Sequence, residues 1–297
     1  MAVWLIAFAI ASQAPVRDAA LATRVPQLFH TIKTLDDSDP QVRLAQAELR
    51  QIFTGRGILT AAEVGDEVAY QFVVLLCSTG PMNARTGALS SARAALATGG
   101  IPADAVAYCT ARLKQDQLMA QAMRRPPSNP ALARTIHDLY ARDQAVRQPK
   151  DFDAAKMLQT DRELEPPLAA ILDRYGVPTY ATAGVEAASQ FATMIQHQPA
   201  AFRRKALPRL KANVDAGQAD AALYATVYDR AQRDEGRNQL YGANLECSDA
   251  SPELHESPID DEAHVNERRA GLGLMRMELY ARLVIEMSPR MCGGQPK

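Results

Sequence analysis

The sequence predicts an all-α protein made of two tandem copies of one three-helix module, followed by a C-terminal loop and helix. Three observations carry this reading. Alanine, the strongest intrinsic helix former, is abundant along the chain. Apolar residues recur at helical spacing, and no window sustains the alternation of a half-buried strand. One ordered pattern of residues also occurs twice.

The repeat is read first because it sets the frame for everything else. Leu49 to Phe72 reads LRQIFTGRGILTAAEVGDEVAYQF, and Leu168 to Phe191 reads LAAILDRYGVPTYATAGVEAASQF. Leu, Ile, Gly, Thr, Gly, Glu, Gln and Phe fall in register, with Gly65 answering Gly184 at an offset of 184 − 65 = 119. The match continues with small gaps: Ala88-Leu89 with Ala206-Leu207, Gly99 with Gly217, and Ala103-Asp104-Ala105 and Tyr108 with Ala219-Asp220-Ala221 and Tyr224. In the second copy, Ala187, Ala188, Phe191, Met194 and Ile195 mark the apolar face of a helix from about Gly184 to Gln198. A second helix runs from about Ala200 to Asp215 and stops at Gly217, a helix-ending residue. A third begins at Asp220, a residue suited to cap it, and carries Leu223, Tyr224, Val227 and Tyr228. Between the copies, Arg124 to Pro130 (RRPPSNP) reads as a linker, and a helix beginning ALARTIHDLY leads into the second copy. The division expected is a signal peptide over 1–22, a degenerate first repeat over 23–123, and a second repeat with a C-terminal extension over 124–297.

At 297 residues and 47% hydrophobic the chain can bury two ordinary cores. Lys and Arg number 33 against 34 Asp and Glu, which excludes a dedicated nucleic-acid surface needing excess basic charge. Met1 to Ala14 (MAVWLIAFAIASQA) is apolar and uncharged, too short for a stop-transfer span, and followed by small residues at which a peptidase could cut. The expected location is therefore periplasmic or secreted, with no stable membrane span after signal removal. The alternative is a cytoplasmic protein whose first helix is buried. Cys77, Cys109, Cys247 and Cys292 form no CxxC pair, which disfavours a zinc ribbon. In an oxidising compartment four cysteines suggest two bridges, and the local pairing Cys77–Cys109 with Cys247–Cys292 is the simplest of three.

The second half resembles a bacterial family catalogued as domain of unknown function 6624. The matching residues run from about Leu132 to Leu283: Asp143-Gln144 with Arg147, Asp161-Arg162, Tyr175-Gly176-Val177-Pro178-Thr179, Gly184, Gln196-His197, Asp229-Arg230, Gln239-Leu240-Tyr241-Gly242, Pro258-Ile259-Asp260, and Arg268-Arg269 ahead of Leu272-Gly273-Leu274. The chain departs from the family at Val177, where Trp is usual, and at Ala243-Asn244, where Thr-Gln is usual. The resemblance implies a fold and a set of polar positions, and names no activity.

Comparison of the two copies separates what the fold needs from what a site needs. Glu67 and Gln71 answer Glu186 and Gln190, so those pairs read as structural. Ser78 stands in the place of His197, and Leu113-Lys114 in the place of Asp229-Arg230. His197, Asp229, Arg230, Gln239 and Tyr241 are thus particular to the second copy, with Gln196 beside them. His197 shares a polar stripe with Glu186 and Gln190, within about 60° at roughly 100° per residue. Its pKa range suits a general base. Asp229 is expected to orient it, while Arg230, Gln239, Tyr241 and Gln196 contact a ligand, Arg230 through its planar fork. A Cys77–Cys109 bridge would hold two Cα atoms about 4.4–6.8 Å apart. The counterparts are Gln196 and Ala225, which would put His197 near Asp229. The bland alternatives are a helix-end histidine, an internal Asp–Arg salt bridge, and a turn that buries Leu240 and Tyr241.

Cys247 to His264 is acidic and reads as a solvated loop. His255, Asp260, Asp261 and His264 match no established ligand spacing, and no metal or cofactor is expected. Arg268-Arg269 are expected to reach back to this acidic loop. His30 and His137 read as core-edge or surface residues. No phosphate-binding glycine loop, GxSxG or HExxH is present. Two functions remain: a module of the cell envelope that binds a small molecule or a peptide, or a hydrolase-like enzyme with His197 as base.

Overall fold

The computed structural model describes residues 16–147, 153–248, 251–256 and 258–287. The apolar N-terminal run, Met1 to Ala14, and the Cys292 partner expected for Cys247 lie outside these residues. The described chain is mostly helical. In the first half come α1 (Ala19–Thr34), α2 (Pro40–Arg56), the one-turn α3 (Ala61–Val64), α4 (Asp66–Ser78), α5 (Met82–Ala97) and α6 (Ala103–Met123). In the second come α7 (Pro130–Ala145), α8 (Ala154–Tyr175), the one-turn α9 (Tyr180–Ala183), α10 (Val185–His197), α11 (Ala200–Asp215) and α12 (Ala221–Asp234). A hairpin of β1 (Leu245–Ser248) and β2 (Ser251–Glu256), a 3-10 turn, α13 (Val265–Gly271) and α14 (Met277–Met287) complete it.

Several helices start where a side chain satisfies the free N–H groups of the first turn. The Asp220 carboxylate accepts from Ala222 and Leu223, as its position in the sequence predicts. After the proline-rich linker, the Asn129 side chain accepts from Leu132, with Pro130 opening α7. Asp18 caps α1, and its own N–H donates to Glu63 O at 2.9 Å. Leu21 and Ala22 pack against the first core.

Each half buries its own core. Phe72, Val73, Leu75 and Cys109 belong to the first, Leu164, Leu172, Phe191 and Met194 to the second. The halves touch where α11 ends. Gly217 sits at φ 67, and a Cβ there would meet Leu118 Cδ1 at 2.1 Å. The C-terminal segment crosses back from the second half, so that Ala270 and Leu279 join the core of the first. Arg276 fastens it there. Its guanidinium lies 4.3 Å from the Tyr70 ring centroid, pairs with Asp104 and Asp66, and its backbone N–H donates to the Tyr70 hydroxyl.

The hairpin falls in the stretch expected as loop. Its strands are short, and the register is irregular between Glu246 and Ser248, so no alternation was visible. Of the two arginines expected at the acidic loop, Arg268 reaches it, donating to Asp260 O and Asp261 O, whereas Arg269 turns to Tyr241 O and Met275 O. No helix among the described residues is long and apolar enough to cross a membrane.

Cys77 and Cys109 form the expected disulfide, joining α4 to α6 across a sequence separation of 32. Closing a loop of that length restricts the unfolded chain by about 3–4 kcal/mol. The double substitution Cys77→Ala with Cys109→Ala should lower the urea-unfolding free energy by about that amount, with no change in the chemistry of the second half.

Candidate functional site

A cavity of about 880 Å³ opens in the second half between α8, α10, α12 and the segment leading to β1. His197, at the C-terminal end of α10, lines it with Gln196, Arg230 and Arg147. The position of His197 follows from the amphipathic pattern of α10. Phe191, Met194 and Ile195 face the core, so the polar stripe faces away from it.

The partner of His197 is Asp143, not Asp229. Its Nδ1 lies 2.9 Å from Asp143 Oδ1. Asp143 projects from α7 and is 0% exposed. It also receives Gln144 Nε2 at 2.7 Å and lies 3.1 Å from Arg147 Nη1. Arg147 continues to Asp161 of α8 at 2.6 Å. A carboxylate at Nδ1 favours the proton on that nitrogen, which leaves Nε2 with its lone pair.

Asp229 is 0% exposed and otherwise engaged. Its carboxylate accepts from the backbone N–H groups of Leu240 at 2.8 Å, Tyr241 at 3.1 Å and Ala243 at 2.8 Å. Burial pushes its carboxyl group above the ordinary range, and these three donors pull against that shift. The helices bearing His197 and Asp229 do pack together. One helical turn of displacement along α12, however, sends Asp229 to the turn and not to the histidine.

Gln239 and Tyr241 belong to the same turn and not to the cavity wall. Gln239 is 0% exposed, and both ends of its amide are used on Asn244: Nε2 donates to the carbonyl and Oε1 accepts from the N–H, each at 2.8 Å. The Tyr241 ring is part of the second core, 6.0 Å from Tyr224 and 5.6 Å from Tyr228. Gly242 turns the chain at φ 59, where a Cβ would meet Met277 Sδ at 2.6 Å. Of the six expected residues, His197, Gln196 and Arg230 thus meet in the cavity, while Asp229, Gln239 and Tyr241 build the turn behind it.

The cavity is rich in guanidinium groups. Arg147, Arg203, Arg230, Arg233 and Arg237 line it, against Asp161, Asp234 and Glu246. Four of the five have carboxylate partners: Arg147 has Asp143 and Asp161, Arg203 has Asp234, Arg233 has Glu246, and Arg237 has Glu235. Among the described residues Arg230 pairs with no carboxylate. It donates to Gln196 O at 3.1 Å, which Arg203 also does at 3.0 Å. Burial, then repulsion from Arg203 and Arg233, lowers its pKa.

Asp143, Asp161 and His197 bring three ligand atoms within 4.8 Å of one another, close enough for a metal ion. The Arg147 guanidinium already bridges the two carboxylates, and His197 Nδ1 is bonded to one of them. A divalent ion would have to displace both. At the acidic loop, Asp261 is held by His264 at 2.8 Å and by Arg268 at 3.3 Å, and the His255 side chain lies outside the description.

A family model described as a family of unknown function, DUF6624, matches residues 131–289. The chain belongs to this family. No curated protein and no solved structure matches it. The DUF6624 region begins at α7 and ends beyond α14, so it contains the whole cavity and the segment that returns to the first half. Asp143, Arg147 and Asp161 were within reach of the sequence as family positions. The comparison between halves passed over them because they lie on α7, just past its end, and on the first part of α8, before the aligned stretch begins.

Two substitutions test this arrangement. Asp229→Ala leaves three backbone N–H groups without their acceptor and should cost roughly 3–5 kcal/mol in chemical denaturation. Arg147→Met should also destabilise, by about 2–4 kcal/mol, because it removes the guanidinium from a fully buried Asp143 carboxylate. In NMR spectra the Arg147 variant should move the His197 ring signals, and the Asp229 variant should leave them in place.

Proposed function

We propose that the DUF6624 region binds a small anionic molecule, a carboxylate or phosphate ester, in the cavity between α8, α10 and α12. The carrying observation is Arg230. A guanidinium held against a backbone carbonyl, repelled by Arg203 and Arg233 more than Asp234 attracts it, and in no ion pair among the described residues, is stabilised when an anion arrives. Gln196 and His197 sit beside it in the same wall and can hydrogen-bond the rest of the ligand. The wider reading is an exported binding module of the cell envelope.

A hydrolase is the second reading, favoured by the Asp143–His197 pair. With Nδ1 turned to Asp143, Nε2 is free to take a proton from water or a substrate hydroxyl, and Arg230 would hold the substrate anion. Asp143 replaces Asp229 as the orienting carboxylate in this scheme.

We further infer that the chain arose by tandem duplication of one helical module. Gly57 and Gly176 close α2 and α8 at φ 74 in both cases, and Gly65 and Gly184 open α4 and α10 at φ 89 and 85. Thr60 and Thr179 precede the one-turn helices with the same capping arrangement. Gln71 donates to Glu67 at 3.0 Å, as Gln190 does to Glu186 at 3.3 Å. Arg85–Asp116 has the place of Arg203–Asp234, both at an offset of 118 (203 − 85 and 234 − 116).

The test is a thermal-shift and calorimetric titration with citrate and inorganic phosphate, with a neutral sugar as control. Wild type should be stabilised by an anion through mass action. Arg230→Met should bind it at least about tenfold more weakly, roughly 1.4 kcal/mol, without losing stability when unliganded. Equal binding by both proteins sinks the proposal. His197→Gln separates the two readings, since a binder keeps its affinity and an enzyme loses turnover while still binding substrate.

A further inference from the structure

A second cavity of about 280 Å³ lies between the first half and the returning C-terminal segment. Lys33 of α1, Ser78 of α4, Arg112 of α6 and Arg269 of α13 line it. Lys33 Nζ donates to Ser78 Oγ at 2.9 Å, and Ser78 passes the bond on to Val74 O at 2.7 Å. Among the described residues, Lys33 has no ion-pair partner.

The charges around it do not balance it locally. Arg112 and Arg85 repel Lys33, while Asp37 and Asp116 attract it more weakly. Asp116 is already engaged by Arg85 and by Arg112, whose Nε lies 3.0 Å from it. Arg269 spends its hydrogen bonds on the carbonyls of Tyr241 and Met275 and lies over the Tyr280 ring; Asp229 and Glu278 attract it from a distance, but among the described residues no carboxylate forms an ion pair with it. A buried cation is costly unless it is paired.

We propose that this cavity is a second anion site, which takes a small oxyanion between Lys33, Arg112 and Arg269. The groups come from both ends of the chain, so a bound oxyanion would tie the C-terminal segment to the first half. Ser78 accepts from Lys33 and holds it in place, its own proton going to Val74 O. Ala222 and Thr226 of α12 and Ala243 of the turn close the cavity from the second half. The site does not depend on the function proposed for the other cavity.

Burial and the two arginines lower the Lys33 pKa to about 8. Only the ammonium attracts an anion, so binding should weaken as pH rises through that value and persist below it. Sulfate is a suitable probe because its charge is constant over that range. The experiment titrates sulfate by calorimetry into the full chain carrying Arg230→Met, which removes the first cavity's unpaired cation. One sulfate per chain should bind at about pH 7, and roughly tenfold more weakly at about pH 9, as the charged fraction of a group titrating near 8 falls. Adding Lys33→Met should abolish it. Phosphate and acetate, run in parallel, tell a tetrahedral oxyanion from a carboxylate. Absence of sulfate binding to the Arg230→Met chain at about pH 7 overturns the proposal. So does binding that ignores pH, or that survives Lys33→Met. If the double variant does not fold, the pH dependence in the single variant still decides.

Discussion

The Asp229 carboxylate is the contact on which the arrangement of the second half depends. It is fully buried, and its oxygens gather three backbone N–H groups from Leu240, Tyr241 and Ala243. A turn of this kind has unsatisfied donors that cannot be left in an apolar interior, and one side-chain carboxyl group accepts from all three. Arg269 closes the same turn from the other side by donating to Tyr241 O at 2.6 Å. With the turn fixed, Tyr241 completes the second core, Asn238 reaches the larger cavity, and Ala243 reaches the smaller one. The chain is also aimed back toward the first half, where Arg276 and Leu279 anchor it.

Electrostatics in the larger cavity follow a related logic. Asp143 cannot sit buried and ionised without donors, and it has three: His197, Gln144 and Arg147. The same contacts fix the histidine tautomer and spend the acidic groups that a metal would need. Around them the arginines are paired one by one, until Arg230 is left with a carbonyl alone. This leftover charge, more than the histidine, distinguishes the cavity from an ordinary ion-pair network.

The two halves are not independent bodies with a connector. Each has its own core, but the family region extends to residue 289, and its last helices complete the core of the first half. Buried apolar area explains the return. α14 has a strongly apolar face, and in the second half the turn at 239–244 has already covered the surface beside α12.

Helix positions in the second half were legible because local chemistry decides them. Asp220 caps α12, Gly217 stops the helix before it, and the spacing of Phe191, Met194 and Ile195 sets the buried face of α10. The Cys77–Cys109 bridge was legible as the most local pairing, and the approach of α10 to α12 followed from it through the matched segments. The pairing within the site did not follow. His197 and Asp143 are 54 residues apart on helices whose crossing no local signal fixes. Asp229 was assigned to His197 because their helices touch, yet a side chain's partner depends on the direction it leaves its helix. Gln239 and Tyr241 looked like ligand groups because they are polar and sit in a loop, whereas the backbone of that loop consumes one and the core the other. By itself, then, the sequence determined the helices, their caps and the family, all set by spacing and short-range bonding. Only the tertiary structure decided which carboxylate meets which cation, because that rests on the packing of helices far apart in the chain.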